Sequence, residues 1–197
     1  MALTLEKNQS ISLEKTAGGG LTAVRLGLGW DPAKPSGFLS RMFGGGNGQV
    51  DLDASCILLD SGLQPVDLVW FRQLTSHDGA VRHSGDNMTG EGEGDDEVIH
   101  VDLQRLPARI EHLVFTVNSF RGQSFDQVEN ACCRVLNHTN NQELARFDLT
   151  EKGSHTGVVM ASLSRSGSDW TFKAIGCATN GRTADDLVNL AIQAVKA

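Results

Sequence analysis

The sequence lacks the features that mark several common classes of protein. No stretch approaches 18 consecutive apolar residues, so no segment is predicted to span a membrane. The first ten residues, MALTLEKNQS, lack the apolar core of a secretory signal peptide. The basic residues form no patch of the kind that binds nucleic acid. We therefore expect a cytoplasmic protein that does not bind nucleic acid.

The sequence also lacks the usual motifs of catalysis and of metal binding by thiols. There is no GxSxG, HExxH, P-loop or GxGxxG motif, and the six histidines are scattered, with His83 the one nearest to a candidate site. The four cysteines form no CxxC pair, and neighbouring Cys132 and Cys133 would lie on opposite faces of a strand. The sequence predicts a protein that is not an enzyme, with free thiols in a reducing compartment.

Alternating apolar and polar residues predict a chain built mostly of β-strands. In LTAVRLGLGW (21–30), for example, Val24, Leu26, Leu28 and Trp30 fall on one face. Short strands at regular spacing, with turn residues between them, are typical of a two-sheet β-sandwich. We predict one domain over residues 1–197. The segments assigned to strands are 3–5, 11–13, 21–30, 50–59, 68–72, 98–103, 112–120, 131–137, 143–149, 158–166 and 170–178.

Two helices and one long insert complete the predicted fold. Ser124 followed by Gln127 has the spacing of a capping box and predicts a short helix near 125–130. Near the C-terminus, Thr183 can cap a helix whose apolar residues recur every three or four positions, so we predict an amphipathic helix over about 184–196. Residues 31–49 are rich in glycine, proline and serine and predict a flexible loop.

The strongest indication of function is the segment GDNMTGEGEGDDE at 85–97. Its last twelve positions hold six carboxylates and no lysine or arginine, which accounts for six of the seven net negative charges. Carboxylates this close repel one another unless a cation neutralises them. Glycines allow tight bends, and Asn87 and Thr89 add neutral oxygen atoms, which suits a hard cation such as Ca²⁺. The six acids are Asp86, Glu91, Glu93, Asp95, Asp96 and Glu97.

A second pair of carboxylates lies upstream, in the predicted strand VDLDASCILL. Asp51 and Asp53 alternate with apolar residues and therefore share one face of the strand. Six acids in the loop exceed what one Ca²⁺ ion needs. We therefore predict two ions per chain that share bridging carboxylates, held by the loop together with this strand.

Other interpretations of the acidic segment fit less well. It is not an EF-hand, because Met88 and Glu91 stand where that loop needs a carboxylate or amide and a glycine. It matches a nine-residue calcium-binding β-helix repeat only in part, and there is a single copy. A phosphate-binding loop is excluded by the negative charge. A solvated acidic turn without any ion is the remaining alternative.

At this point the residues resemble a known family. The segment HSGDNMTGEGEGDDEVIHVDL (83–103) is similar to the signature of the tellurium-resistance TerD family. The neighbouring motifs VRLGLGWD (24–31), VDLDASCILLD (50–60) and ARFDL (145–149) follow in the same order, so the resemblance covers nearly the whole chain. The Gly-rich insert and VWFRQL (69–74) are closer to the TerZ-like branch of the family.

The resemblance implies a small cytoplasmic β-sandwich protein that binds calcium and takes part in tellurite resistance and the stress response. It also implies partners among the other proteins of the same resistance system. Glu93 stands at a position that the family pattern leaves variable, and it is included for its charge. The candidate metal ligands are Asp31, Asp51, Asp53, Asp86, Asn87, Thr89, Glu93, Asp95, Asp96 and Glu97.

Three functions follow from these residues. The first is a calcium-dependent sensor or assembly module. The second is a calcium-dependent module that binds the inner surface of the membrane, where Phe38, Met42 and Phe43 of the insert would enter the lipid. The third is a metal-dependent hydrolase that uses an open coordination position on the ion.

Overall fold

The computed structural model describes residues 2–32, 51–85, 94–150 and 152–197. Most of the Gly-rich insert, with Phe38, Met42 and Phe43, lies outside the described residues. So do five of the candidate ligand-bearing or acidic positions of the loop. These are Asp86, Asn87, Thr89, Glu91 and Glu93.

Two six-stranded sheets pack face to face, as the alternation predicts. Sheet A has the order β1-β10-β9-β3-β7-β6 and sheet B the order β2-β12-β11-β8-β4-β5. All pairs are antiparallel except β1 with β10. The strands are β1 Leu3–Leu5, β2 Ser10–Ser12, β3 Ala23–Pro32, β4 Asp53–Asp60, β5 Pro65–Val69, β6 Val81–His83, β7 Glu97–Asp102, β8 Ile110–Asn118, β9 Val128–Asn137, β10 Glu143–Asp148, β11 Gly157–Ser166 and β12 Asp169–Thr179.

The main core lies between the sheets and follows the period of two residues. Leu26 and Leu28 of β3, for example, are buried against Phe115 of β8 and the other inward residues of both sheets. Cys132 and Cys133 fall on opposite faces of β9 as predicted. The Cys133 side chain belongs to this core, whereas Cys132 lines a pocket on the outer face, and all four cysteines are free.

The C-terminal helix, α2 (Ala184–Lys196), confirms the prediction and covers the outer face of sheet B. Its N-terminus is capped by the Asp186 carboxylate, which accepts a hydrogen bond from the Thr183 N–H at 3.0 Å. Ala191 packs with Ile57 and Leu59 in a second apolar cluster. None of the described helices has the length and apolarity needed to cross a membrane.

The structure differs from the sequence prediction at the two short helical segments. The helix expected near 125–130 is a single 3₁₀ turn, Phe125–Gln127, in which the Ser124 side chain makes no capping hydrogen bond. The β-branched Val128 already begins β9. A five-residue helix, α1 (Leu13–Ala17), starts where the alternation predicted the end of a strand. The Ser12 hydroxyl caps it by accepting from the Lys15 N–H.

Candidate metal centre

The three consecutive acids at the end of the acidic segment point in different directions. Asp95 lies on the outer face of sheet A, Asp96 reaches back to β3, and Glu97 turns into the space between the sheets. The cause is the start of β7 at Glu97, because side chains alternate between the two faces from that residue onward. Glu97 is therefore separated from Asp95 and Asp96, which line one pocket.

Asp95 lies against sheet A, where Arg134 binds its carboxylate and Gly27 leaves room for it. Its Oδ1 accepts a hydrogen bond from Arg134 Nε at 2.6 Å, and Arg134 also contacts Glu143. The carboxylate occupies the space above Gly27 of β3 in which a Cβ atom would otherwise stand. A charge already paired with Arg134 is a weaker cation ligand than a carboxylate without such a partner.

Replacing Gly27 by alanine is expected to destabilise the protein by about 1–3 kcal/mol, because the new methyl group would overlap the Asp95 carboxylate. The displaced carboxylate would also lose its bond to Arg134. Urea denaturation measures this loss. In an Asp95→Ala background the overlapping atoms are gone, so the same substitution should cost almost nothing. An equal cost in both backgrounds would contradict the contact.

Asp96 and Asp31 line one pocket of about 210 Å³ at the end of β3. Asp96 Oδ2 accepts from the Trp30 N–H at 2.7 Å, and Asp31 Oδ2 accepts from the side-chain amide of Asn130 at 2.7 Å. Burial raises the pKa of Asp96, and the negative charges of Asp31, Glu97 and Asp95 raise it further, against the Trp30 hydrogen bond. Arg134 and Arg146 line the same pocket and balance part of its negative charge, and a cation bound by Asp31 and Asp96 would relieve the rest.

Glu97 links the two sheets from inside the sandwich. Its Oε2 accepts from the Ala54 N–H at 2.7 Å and lies 3.1 Å from His83 Nε2. His83 Nδ1 accepts from the Gly85 N–H at 3.0 Å, so the ring proton is on Nε2, which donates toward Glu97 and the Ala54 carbonyl. Since both ring nitrogens of this buried histidine are engaged, its position is structural, and it is poorly placed to act as a general base.

Buried oxygen atoms gather at the start of β4, on the outer face of sheet B. Asp53 lies opposite Asn118 of β8, and Ser55 lies opposite Thr116, so the four side chains form a block that we call the oxygen block. Each of these four residues keeps 4% exposure or less. Three of the atoms have no hydrogen-bond partner among the described residues, namely Ser55 Oγ, Thr116 Oγ1 and Asn118 Oδ1.

Two neighbours complete this region. Asp51 is also buried, and its Oδ2 forms an ion pair with Arg121 Nε at 2.9 Å. The side-chain amide of Asn118 donates to the carbonyl of Arg182, just before α2, which fixes the side-chain orientation. Buried oxygens without donors each cost about 1–3 kcal/mol. A hard cation that accepts oxygen ligands would remove that cost, so the chemistry of the donor set fits Ca²⁺.

The described residues alone form no complete metal site. Within the ranges 2–32, 51–85, 94–150 and 152–197, no group of three or more His, Cys, Asp or Glu side chains is arranged to hold an ion. Apart from Glu97, which is bonded to Ala54 and His83 between the sheets, the described predicted ligands divide into two groups. Asp31, Asp95 and Asp96 lie at the end of β3, whereas Asp51 and Asp53 lie at the start of β4.

Sequence reasoning missed several residues of this region. Thr116 and Asn118 could have been found, because alternation in HLVFTVNSF places them on one face, as it places Asp53 and Ser55 in the partner strand. The pairing of these two strands was the missing information. The contacts of Arg121 with Asp51 and of Arg134 with Asp95 join residues far apart in the chain, and no local pattern predicts them.

Comparison with known proteins identifies clear relatives. A family model described as the TerD domain matches residues 1–191. The chain is 56% identical over 193 residues to "Tellurium resistance protein TerZ" of Serratia marcescens, covering 98% of each chain. It is 40% identical over 197 residues to "Stress response protein SCP2" of Bacillus subtilis (strain 168), covering 96% of this chain and 98% of the relative.

A solved structure shares the fold. The crystal structure of a homologue of the telluride resistance protein TerD from Streptomyces coelicolor A3(2) matches with a TM-score of 0.67 at 23% identity. The match covers 86% of this chain and 96% of that one. The predicted fold class, mostly β with two sheets and a C-terminal helix, is thus confirmed by the structure and by this likeness.

Proposed function

From the premise that the chain belongs to the TerD family of tellurium-resistance and stress-response proteins, we propose that it binds calcium and acts as a calcium-dependent sensor or assembly module. We propose two Ca²⁺ ions per chain and a cytoplasmic location. The role is non-catalytic in this proposal, since the names of its relatives describe resistance and stress response and no reaction.

The observation that carries the proposal is the oxygen block. Ser55 Oγ, Thr116 Oγ1 and Asn118 Oδ1 are buried beside the Asp53 carboxylate and have no hydrogen-bond partner among the described residues. Neutral and charged oxygen atoms together are the ligands that Ca²⁺ takes in proteins. In this proposal the first ion would be held by Asp51 and Asp53 with oxygen atoms of the block.

The second ion would bind at the end of β3, where Asp31 and Asp96 line the same pocket. Residues 86–93 connect β6 to this corner and would supply the remaining ligands, namely Asp86, Asn87, Thr89 and Glu93. Two groups of acids, one at each sheet, favour two ions over a single shared one. Binding would then hold the acidic segment against both sheets, which is the change a partner protein would detect.

An exposed aromatic surface beside the first group offers a place for such a partner. Phe120 is 41% exposed and contacts Phe71 edge to face, while the Arg72 guanidinium lies over both rings. Phe120 directly precedes Arg121, the residue paired with Asp51. A cation at Asp51 would compete with Arg121 and thereby move this surface.

Isothermal titration calorimetry tests the proposal. Metal-stripped protein at neutral pH is expected to bind about two Ca²⁺ ions per chain. Asp53→Asn and Asp96→Asn should each lose one of the two binding events, because each removes a charged ligand from a different group. Asp126→Asn, at an exposed acid of the 3₁₀ turn, is the matched control and should bind as the wild type does.

Two results would decide against this function. Absence of calcium binding in the wild type would exclude it outright. Equal weakening of calcium binding by all three variants would mean that affinity depends only on the overall charge of the protein.

The membrane-surface alternative predicts that Ca²⁺ makes the protein sediment with anionic liposomes, and that Phe120→Ser reduces the sedimented fraction.

A further inference from the structure

The outer face of sheet A carries a row of basic side chains on three adjacent strands. Arg25 of β3 lies opposite His100 of β7, and His100 lies opposite Arg82 of β6. Residues directly opposite each other in antiparallel strands point to the same face and lie within contact range. A positive charge on His100 would lie between those of Arg25 and Arg82, where like charges destabilise a sheet, and a bound negative group would compensate for it.

A pocket of about 370 Å³ opens beside this row. Its walls include Arg82 and His100 together with Arg105 and His138, whose ring meets that of His100 edge to face at 5.6 Å. Arg105 lies over Gly79, where any side chain would stand within 3.1 Å of its guanidinium. The volume is at the lower end of the range of about 300–1,000 Å³ that small-molecule sites occupy.

The guanidinium groups around the pocket differ in their partners from the three arginines that pair with acids. Arg121, Arg134 and Arg146 each form an ion pair with a carboxylate. Within the part of the chain that the structure describes, Arg25, Arg82 and Arg105 form none. One Nη atom of Arg25 donates to the Asn141 side chain and one of Arg105 to the Asp78 carbonyl, while the buried Nε of Arg25 has no hydrogen-bond partner among the described residues.

The only carboxylate among the described wall residues is Asp102, and it is turned to the backbone. Its Oδ1 accepts from the N–H groups of Gln104 and Arg105, both at 3.1 Å. In a chain with a net charge of −7, arginines that have no carboxylate partner among the described residues make this pocket suited to an anionic ligand.

The pKa of His100, at the centre of the row, is lowered by its burial and by the positive charges around it. Burial lowers the pKa of His100, and the neighbouring His138, Arg25 and Arg82 lower it further. Arg25 and Arg82 lie on the two strands that pair with β7, His138 directly follows β9, and Asp102 and Arg105 line the same pocket as His100. The same charges argue against a metal ion at the two imidazoles, since a second cation would be repelled.

We propose that this pocket, the basic pocket, binds a small molecule through a phosphoryl group or a similar doubly charged oxyanion. Arg82 and Arg105 would each hold anion oxygens through paired N–H groups, the geometry in which guanidinium recognises phosphate. His100 and His138 would donate further hydrogen bonds, and Arg25 would add charge from the adjacent strand. None of the described wall residues is a candidate calcium ligand, so the proposal does not depend on the proposed function.

The test uses inorganic phosphate and adenosine monophosphate as probes, followed by ¹H–¹⁵N NMR of the full chain at pH 6.5 in chloride buffer. We expect saturable shifts centred on His100, His138 and the 79–82 backbone, and a rise in the pKa of His100 as the anion binds. The double variant Arg82→Gln/Arg105→Gln should bind each probe at least about tenfold more weakly. Arg109→Gln, at an exposed arginine away from the pocket, should bind as the wild type does.

Each further outcome bears on the proposal. Sedimentation with phosphatidic-acid vesicles that the double variant loses would support the phosphoryl chemistry and assign a lipid headgroup as its source. No saturable shift with either probe would overturn the proposal, as would equal weakening by the Arg109 control. Binding of a single-stranded RNA oligonucleotide without binding of either small probe would overturn it too, because the pocket would then be one part of a larger surface. Far-UV circular dichroism should show that the double variant is folded, so that a loss of binding can be assigned to the two arginines.

Discussion

Replacing Glu97 by alanine is expected to destabilise the protein by about 3–4 kcal/mol. The substitution removes the acceptor for the Ala54 N–H and for His83 Nε2, both buried between the sheets. An unsatisfied buried donor costs about 1–3 kcal/mol, and the loss of the side chain leaves a cavity as well. For a domain of this size the melting temperature should fall by roughly 10 °C. Differential scanning calorimetry in the absence of calcium measures the effect.

Two variants separate this contact from the loss of charge. Glu97→Gln keeps an oxygen that can accept from Ala54, so it should lose less than half as much stability as Glu97→Ala. Glu6→Ala, at an exposed position, should leave the melting temperature unchanged. If Glu97→Ala melted like the wild type, the link between the sheets through Ala54 and His83 would contribute nothing to stability.

The fold could be predicted from sequence where the alternation was long and strong. The face of β3 that carries Leu26 and Leu28 is buried as expected, and the hairpin of β11 and β12 closes at Gly167, whose positive φ of +64° suits the predicted turn. Short helices could not be predicted as well from the sequence. The Ser124–Gln127 spacing matched a capping box, yet the strand that begins at Val128 left room for only one turn.

The site could be predicted as a set of residue types but not as an arrangement. The charge of the acidic segment and the pair Asp51 and Asp53 indicated a cation from composition alone. The different directions of Asp95, Asp96 and Glu97 depend on where β7 begins relative to Gly27 and Ala54, and that is a matter of strand register. Strand pairing also brings Asn118 to Asp53, which no local pattern contains.

Calcium at saturating concentration is expected to raise the melting temperature by about 10 °C over protein in chelator. An ion present at a thousand times its dissociation constant stabilises the folded state by about 4 kcal/mol, and each kcal/mol is worth about 2–4 °C in a domain of 150–250 residues. Magnesium should have a much smaller effect, because it requires near-ideal octahedral geometry and gives up water reluctantly. Equal melting curves in calcium and in chelator would contradict this prediction.

The Asp96→Asn variant should reverse the order of stability between the two conditions. In chelator it should melt slightly above the wild type, because the raised pKa of Asp96 means that its ionised form is unfavourable in the folded protein, and an amide oxygen can still accept from the Trp30 N–H. In calcium it should melt below the wild type, since the ligand charge is gone. If the variant melted below the wild type by the same amount under both conditions, Asp96 would stabilise the fold without binding calcium. Asp126→Asn, the exposed control, should follow the wild type in both.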